Sequence, residues 1–192
     1  MMRKIERENT GLLQAGQDLV VAGYAGLAGT VKLAEAAKEE LSRWFSDEYM
    51  EEIADAAPLC PVSPEFWRSC GAAEWEPAGE GGILTAIWNL TGAYETGVEF
   101  CLRQIPMRQE TVEVCERLEL NPYRLYSRGC VLLTADNGGQ LVRILAEKHI
   151  PAQVIGRVNK GIAREMIVQE GQGFLERPQP DEITKVIPGF FK

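Results

Sequence analysis

Histidine occurs once in this 192-residue chain, and its 20 lysines and arginines are outnumbered by 28 aspartates and glutamates. With one imidazole, His149, and no G-x-S-x-G turn, a Ser-His-Asp hydrolase device is excluded. A zinc site is not expected, because only one His is present to help and the five cysteines lie far apart. The net charge of −8 leaves no positive field to attract nucleic acid or an anionic bilayer, and no Lys/Arg run makes a local exception. Long hydrophobic runs are missing too: the most apolar stretch, Leu19 to Gly29, falls well short of the ~20 residues a membrane-spanning helix needs. The basic start Met1-Met2-Arg3-Lys4 lacks an apolar region behind it, since Glu6, Arg7 and Glu8 follow, so nothing marks export and a soluble cytoplasmic protein is expected. The cysteines Cys60, Cys70, Cys101, Cys115 and Cys130 form no C-x-x-C pair and read as free thiols.

What is present is enough to fold: 45% of residues are apolar and 25% charged, a composition that buries a core and rules out disorder throughout. Leu19-Val20-Val21 reads as a buried strand. The next helix is predicted from an N-cap at Thr30, with Ala34, Ala37, Leu41, Trp44 and Phe45 on one stripe. Ser46 caps a second helix ending near Ala57, with Asp47 and Glu48 where carboxylates favour the helix dipole. Residues 58–80 read as an irregular Pro-rich loop, interrupted at most by one short helix with Ser63 as cap and Pro64 at its first position. A helix from Gly82 to Gly92 precedes a half-exposed strand alternating Val98, Phe100 and Leu102 with Glu99, Cys101 and Arg103. A polar helix over Arg108 to Leu118, a buried strand over Cys130 to Thr134, and a helix carrying Leu141, Val142, Leu145 and, in its last turn, His149 come next. Strands Gln153 to Val158 and Arg164 to Gln169 flank a turn at Asn159-Lys160-Gly161, and a second turn falls at Gly171-Gln172-Gly173. The order predicts an α/β (α+β) domain with a mixed sheet. Its expected limits are a lead segment 1–16, the domain proper 17–176 and an extended tail 177–192.

Three segments carry candidate chemistry, each beside a plain structural reading. Gly23-x-x-Gly26-x-x-Gly29 sits between strand and helix as a dinucleotide loop would, but without the G-x-G-x-x-G spacing, and close packing explains it. Glu76, Glu80, Gly81 and Gly82 precede a helix whose free N–H groups suit an anion, with carboxylates placed to hold a metal ion accompanying a phosphate; alternatively Glu80 only complements the dipole. Ser127, Arg128 and Gly129 stand at a strand mouth where a guanidinium and a hydroxyl suit phosphate, or where an arginine is simply solvated. Cys130 reads as a buried structural thiol, no resident metal centre is assigned, and no catalytic residue is named.

Taken together, several segments resemble the C-terminal domain of the AIR synthase-related superfamily, which includes aminoimidazole ribonucleotide synthetase, selenophosphate synthetase, thiamine-monophosphate kinase and hydrogenase expression/formation protein E. Gln17-Asp18-Leu19-Val20-Val21 through Gly26-Leu27-Ala28-Gly29-Thr30 and Leu33-Ala34 is similar to the family's D-x-[IV]-[VL] … G-L-x-G-T-x-x-L-A pattern. Glu80-Gly81-Gly82-Ile83-Leu84 resembles the T-x-G-G-[LIV] turn. Pro106-Met107-Arg108, Leu120-Asn121-Pro122, Ser127-x-Gly129 and Val154-Ile155-Gly156-Arg157-Val158 follow in the order of the hydrogenase-maturation branch. The resemblance implies a three-layer α/β/α domain, partly ferredoxin-like, lacking the N-terminal domain that binds most of the ATP and magnesium. The chain departs from the family where a H-D-x-T-x-G-G or D-P-T-R-G-G turn reads Glu76-Pro77-Ala78-Gly79-Glu80, and at its end, Gly189-Phe190-Phe191-Lys192, where the maturation enzyme carries a reactive cysteine. The expectation is a non-catalytic ligand- or partner-binding module, with no cofactor of its own and with ATP and Mg²⁺ entering only within a complex. A subunit of an ATP-dependent enzyme completed by a separately encoded ATP-binding domain is the first alternative. A self-associating homo-oligomer is the second.

Overall fold

Leu19, Val20, Val21 and Ala22 have no exposed surface, because strand β1 (Asp18–Ala22) lies between two antiparallel neighbours and is covered on both faces. The computed structural model describes residues 12–56, 63–168 and 171–192. Along the chain, β1 is followed by α1 (Leu27–Ala36), α2 (Lys38–Leu41), α3 (Asp47–Ala54), α4 (Pro64–Ser69), β2 (Glu74–Pro77), α5 (Gly82–Ala93), β3 (Gly97–Cys101), α6 (Gln109–Arg117), β4 (Val131–Ala135), α7 (Gly138–Glu147), β5 (Ala152–Asn159), β6 (Arg164–Val168) and β7 (Gly171–Phe174). The seven strands form one sheet in the order β2-β4-β1-β5-β3-β6-β7. All neighbours are antiparallel except the parallel pair β3 and β6. The predicted mixed-sheet α/β class is the fold observed.

Period-two alternation separates two cores. Leu19, Val21, Leu132, Val98 and Phe100 face α5 with Ile83, Ile87 and Leu90, while Val20, Ala22, Val131 and Leu133 face α4 and α7 with Trp67, Leu141 and Leu145. Beyond these layers, α1, α3 and α6 enclose a third cluster around Leu33, Leu41, Ile53 and Val114. That cluster also holds the chain's end. Ile183 is fully buried and Val186, Ile187 and Phe190 pack against it, so the tail predicted to be extended instead forms a 3-10 turn over Glu182–Lys185.

Several local expectations are revised. The predicted loop 58–80 contains α4, capped as expected by Ser63 with Pro64 in its first turn, but also the edge strand β2; residues 57–62, with Pro58, Cys60 and Pro61, lie outside the described residues. The first helix starts at Leu27 behind Gly26 and not behind Thr30. The Thr30 hydroxyl bonds the Gly26 carbonyl and the Thr111 hydroxyl, a use inside the helix that sequence alone does not separate from capping. Ser46 caps α3 as predicted, and His149 lies one residue past the C-cap of α7, in a left-handed conformation. The Asn159-Lys160-Gly161 turn does not close a hairpin, because β3 inserts between β5 and β6. Gly171-Gln172-Gly173 is not a turn but part of β7. Cys70, Cys101, Cys115 and Cys130 form no disulfide among the described residues, and burial pushes the Cys115 thiol up to about 12.

Candidate functional site

The start of α5 brings the sequence's candidate residues to one place. Gly81 is its N-cap with φ 77° and Gly82 follows at φ 67°, a left-handed pair that side-chain-bearing residues adopt with difficulty. Space is limiting as well. A Cβ on Gly82 would lie 2.4 Å from the Tyr123 carbonyl oxygen and 2.9 Å from the Arg124 backbone, so the segment 121–127 crosses directly over the helix start.

The first N–H groups of a helix seek an anion, and here the chain supplies one. Gly81 N–H donates to Asp181 Oδ2 at 2.6 Å, while Asp181 Oδ1 accepts from Tyr126 N–H at 3.1 Å and Ile183 N–H at 2.9 Å. Asp181 is 2% exposed. Burial pushes its acidity toward the neutral form, the three N–H bonds pull the other way, and Glu80 adds repulsion; the balance lies above the usual carboxylate range. Glu182 fastens the same segment by accepting from Asn121 N–H at 3.2 Å and from Lys185 at 2.6 Å.

Ser127 is close by and fully engaged. Its buried hydroxyl donates to the Leu125 carbonyl at 2.7 Å and accepts from Gly26 N–H at 2.8 Å, and its own N–H reaches the Gly79 carbonyl at 3.2 Å. One serine thus joins the starts of α1 and α5. Gly26 and Gly29 serve the same junction, since a Cβ on Gly29 would lie 2.5 Å from Leu125 Cγ. That is the close-packing reading of the Gly23-x-x-Gly26-x-x-Gly29 segment. Glu80 and Arg128 are exposed beside this knot, and Gly129 turns the chain at φ 87°. Glu76 lies apart from them, buried in β2 opposite Leu132. On the same side of β2, Glu74 accepts the Tyr94 hydroxyl. Among the described residues no group of three or more His, Cys, Asp or Glu stands close enough to hold a metal ion, and no helix is long and apolar enough to cross a membrane.

Asp181 is the residue that sequence reasoning missed. Its signal was local: Pro180-Asp181-Glu182-Ile183-Thr184 is a capping pattern in which an Asp side chain takes the N–H two residues on. What sequence did not reveal is that the second oxygen reaches Gly81.

No protein-family model matches the chain, and no curated protein matches it. Solved structures do. HypE of E. coli superposes with a TM-score of 0.72 at 20% identity, over 93% of this chain and 55% of that one. The fold is that of about half of HypE. HypE bound to ATP and the HypE–HypF complex both superpose at TM-score 0.64 over 88% of this chain, with 16% and 18% identity and coverage of 53% and 56% of those chains. Thiamine-monophosphate kinase from Stenotrophomonas maltophilia K279a has the same arrangement at TM-score 0.61 and 17% identity, over 80% of this chain and 50% of that one. Both are AIR synthase-related proteins, and this chain spans about half the length of each of these chains. At such identities the likeness establishes the fold.

Proposed function

We propose that this chain is a HypE-like C-terminal domain acting as a non-catalytic partner-binding module. The observation that carries the reading is the Asp181 carboxylate on the Gly81 N–H: the position expected to receive a phosphate is taken by the protein's own anion. The internal bonds of the Ser127 hydroxyl support it, because a group spent on the fold is not offered to a ligand. A module of this kind contributes surface, and a separately encoded chain contributes the chemistry. HypE is known in complex with HypF, which supports a partner-dependent role.

The test is a thermal-denaturation series with ATP, ADP, AMP and aminoimidazole ribonucleotide, each with and without Mg²⁺, beside affinity capture from the native host. A ligand at about a hundred times its dissociation constant adds roughly 2.7 kcal/mol and lifts the midpoint by about 5 to 10 °C in a chain this size. The expected outcome is no shift together with a recovered partner. A magnesium-dependent shift with ATP, or no partner under any condition, overturns the reading.

A second reading, a subunit whose ATP site forms between chains, is favoured by the ATP complex of HypE and by the exposure of Glu80 and Arg128 beside Gly81. In that case ATP turnover with the partner falls when the exposed Glu80 is replaced by Ala, whereas Glu76, buried in β2, does not belong in that test. A homo-oligomer is favoured by the open edge at β7, where Phe174 is 69% and neighbouring Ile167 40% exposed. A solution mass that stays monomeric at all concentrations removes it.

A further inference from the structure

Helices α3 and α6 both pack on α1 and leave between them an open cleft of about 600 Å³, walled by Trp44, Phe45 and Tyr49 and edged by Glu52, Glu110 and Glu113. We infer that this cleft is the docking site for a basic segment of a partner polypeptide, which seats a Lys or Arg side chain against the aromatic wall; the inference rests on the partner-binding reading and names its surface.

Two physical arguments carry it. The first is an aromatic wall that the core uses only in part: Phe45 and Tyr49 pack against the third cluster, and Trp44 stays outside it. Trp44 is 61% exposed, although a tryptophan left in water forfeits one of the largest burial gains available to a side chain. One of its faces already holds a cation, since the Arg117 guanidinium lies 4.2 Å from the ring centroid, so the ring's affinity for a guanidinium is in use within this molecule. Tyr49 lines the same cleft, edge-on to Phe45 with centroids 5.2 Å apart.

The second argument is charge. Glu113 accepts from the Tyr49 hydroxyl at 2.6 Å and from the Gln109 amide at 2.6 Å. These donors, Tyr49 first, hold its carboxyl below the usual range, with a smaller contribution from the charge of Arg117; the two hydrogen-bond donors are neutral and position the negative charge, which Arg117 offsets in part. Glu110 is also held ionised, by the hydrogen bonds of Arg108, which offsets its charge locally. Helix α3 adds Asp47, Glu48, Glu51 and Glu52 and no basic residue. The surface around the rings is therefore anionic at neutral pH, and its complement is a cationic side chain with an apolar stem. A basic peptide segment supplies both.

The experiment uses the full chain and a fluorescein-labelled peptide alternating Gly with Arg and Lys, titrated by anisotropy beside an otherwise identical peptide carrying Glu. Expected is binding of the basic peptide alone, weakened about tenfold in Trp44→Ala and in the Glu52→Gln/Glu113→Gln pair, with thermal midpoints close to wild type because these side chains lie at the surface. The remote pair Glu95→Gln/Glu147→Gln is expected to bind as wild type. Equal loss in the remote pair means diffuse attraction to an acidic protein and overturns the inference, as does absence of binding at about millimolar peptide. Should affinity capture from the host recover the same partner with wild type and with both cleft variants, the cleft is excluded while the partner-binding reading stands.

Discussion

Asp181 Oδ2 lies 2.6 Å from the Gly81 nitrogen, a bond that closes a loop of one hundred residues. It gives the first N–H of α5 an acceptor and fixes the end of the chain over the helix start. Removing the acceptor leaves two buried donors, on Gly81 and Ile183, and a half-buried one on Tyr126 without this partner. Asp181→Ala is therefore expected to cost about 3 kcal/mol in urea unfolding, with Asp181→Asn intermediate because one oxygen remains.

The same residue sets a pH dependence. Its folded-state pKa is raised, chiefly by burial, so between the ordinary aspartate value of about 4 and the raised one the native state holds more protons than the unfolded chain. Stability carried by this group is full below the unfolded value and is lost as pH rises through the folded one. Scanning calorimetry across about pH 3 to 7 is expected to show that falling component in the wild type and its absence in Asp181→Asn.

Glu110 behaves in the opposite sense. Hydrogen bonds from Arg108 hold its carboxyl below the usual range, so its contribution is present above about pH 4.3 and is lost as pH falls. Glu110→Gln is expected to flatten the acid limb of a midpoint-against-pH curve. An unchanged limb would show that the pair contributes nothing measurable.

Ser127 and Arg128, neighbours in sequence, are expected to separate cleanly. Ser127→Ala strands the Gly26 N–H and costs about 1 to 3 kcal/mol, whereas exposed Arg128→Ala stays within about 0.5 kcal/mol. A nucleotide affinity lost in Arg128→Ala at unchanged stability would favour the subunit reading.

Glycines divide by what stands beside them. A Cβ on Gly156 would lie 2.0 Å from the Glu99 carbonyl oxygen, inside the sheet, and Gly156→Ala is expected to cost on the order of 3 kcal/mol or to abolish folding. Gly139, in the first turn of α7, meets nothing nearer than 3.6 Å. Gly139→Ala is expected to stabilise by roughly 0.5 to 1 kcal/mol in the same assay.

Sequence by itself determined the elements whose signals are local. Apolar runs marked β1 and β4, Ser46 and Ser63 marked the caps of α3 and α4, and Gly81-Gly82 marked the start of α5. Together they yielded the α/β class, because periodicity and capping are set by residues within a few positions of one another. Tertiary structure alone decided the rest. β2 is a strand because Glu74 to Pro77 find β4 at the sheet edge, and β6 lies beside β3 although a turn joins it to β5, since strand pairing is settled by burial across the whole sheet. The candidate site depended on it most. Whether Gly81 and Ser127 face a ligand or the protein's own groups turned on Asp181, Gly26 and Leu125 arriving at hydrogen-bond distance, and a buried polar group takes whichever partner the packed chain brings to it.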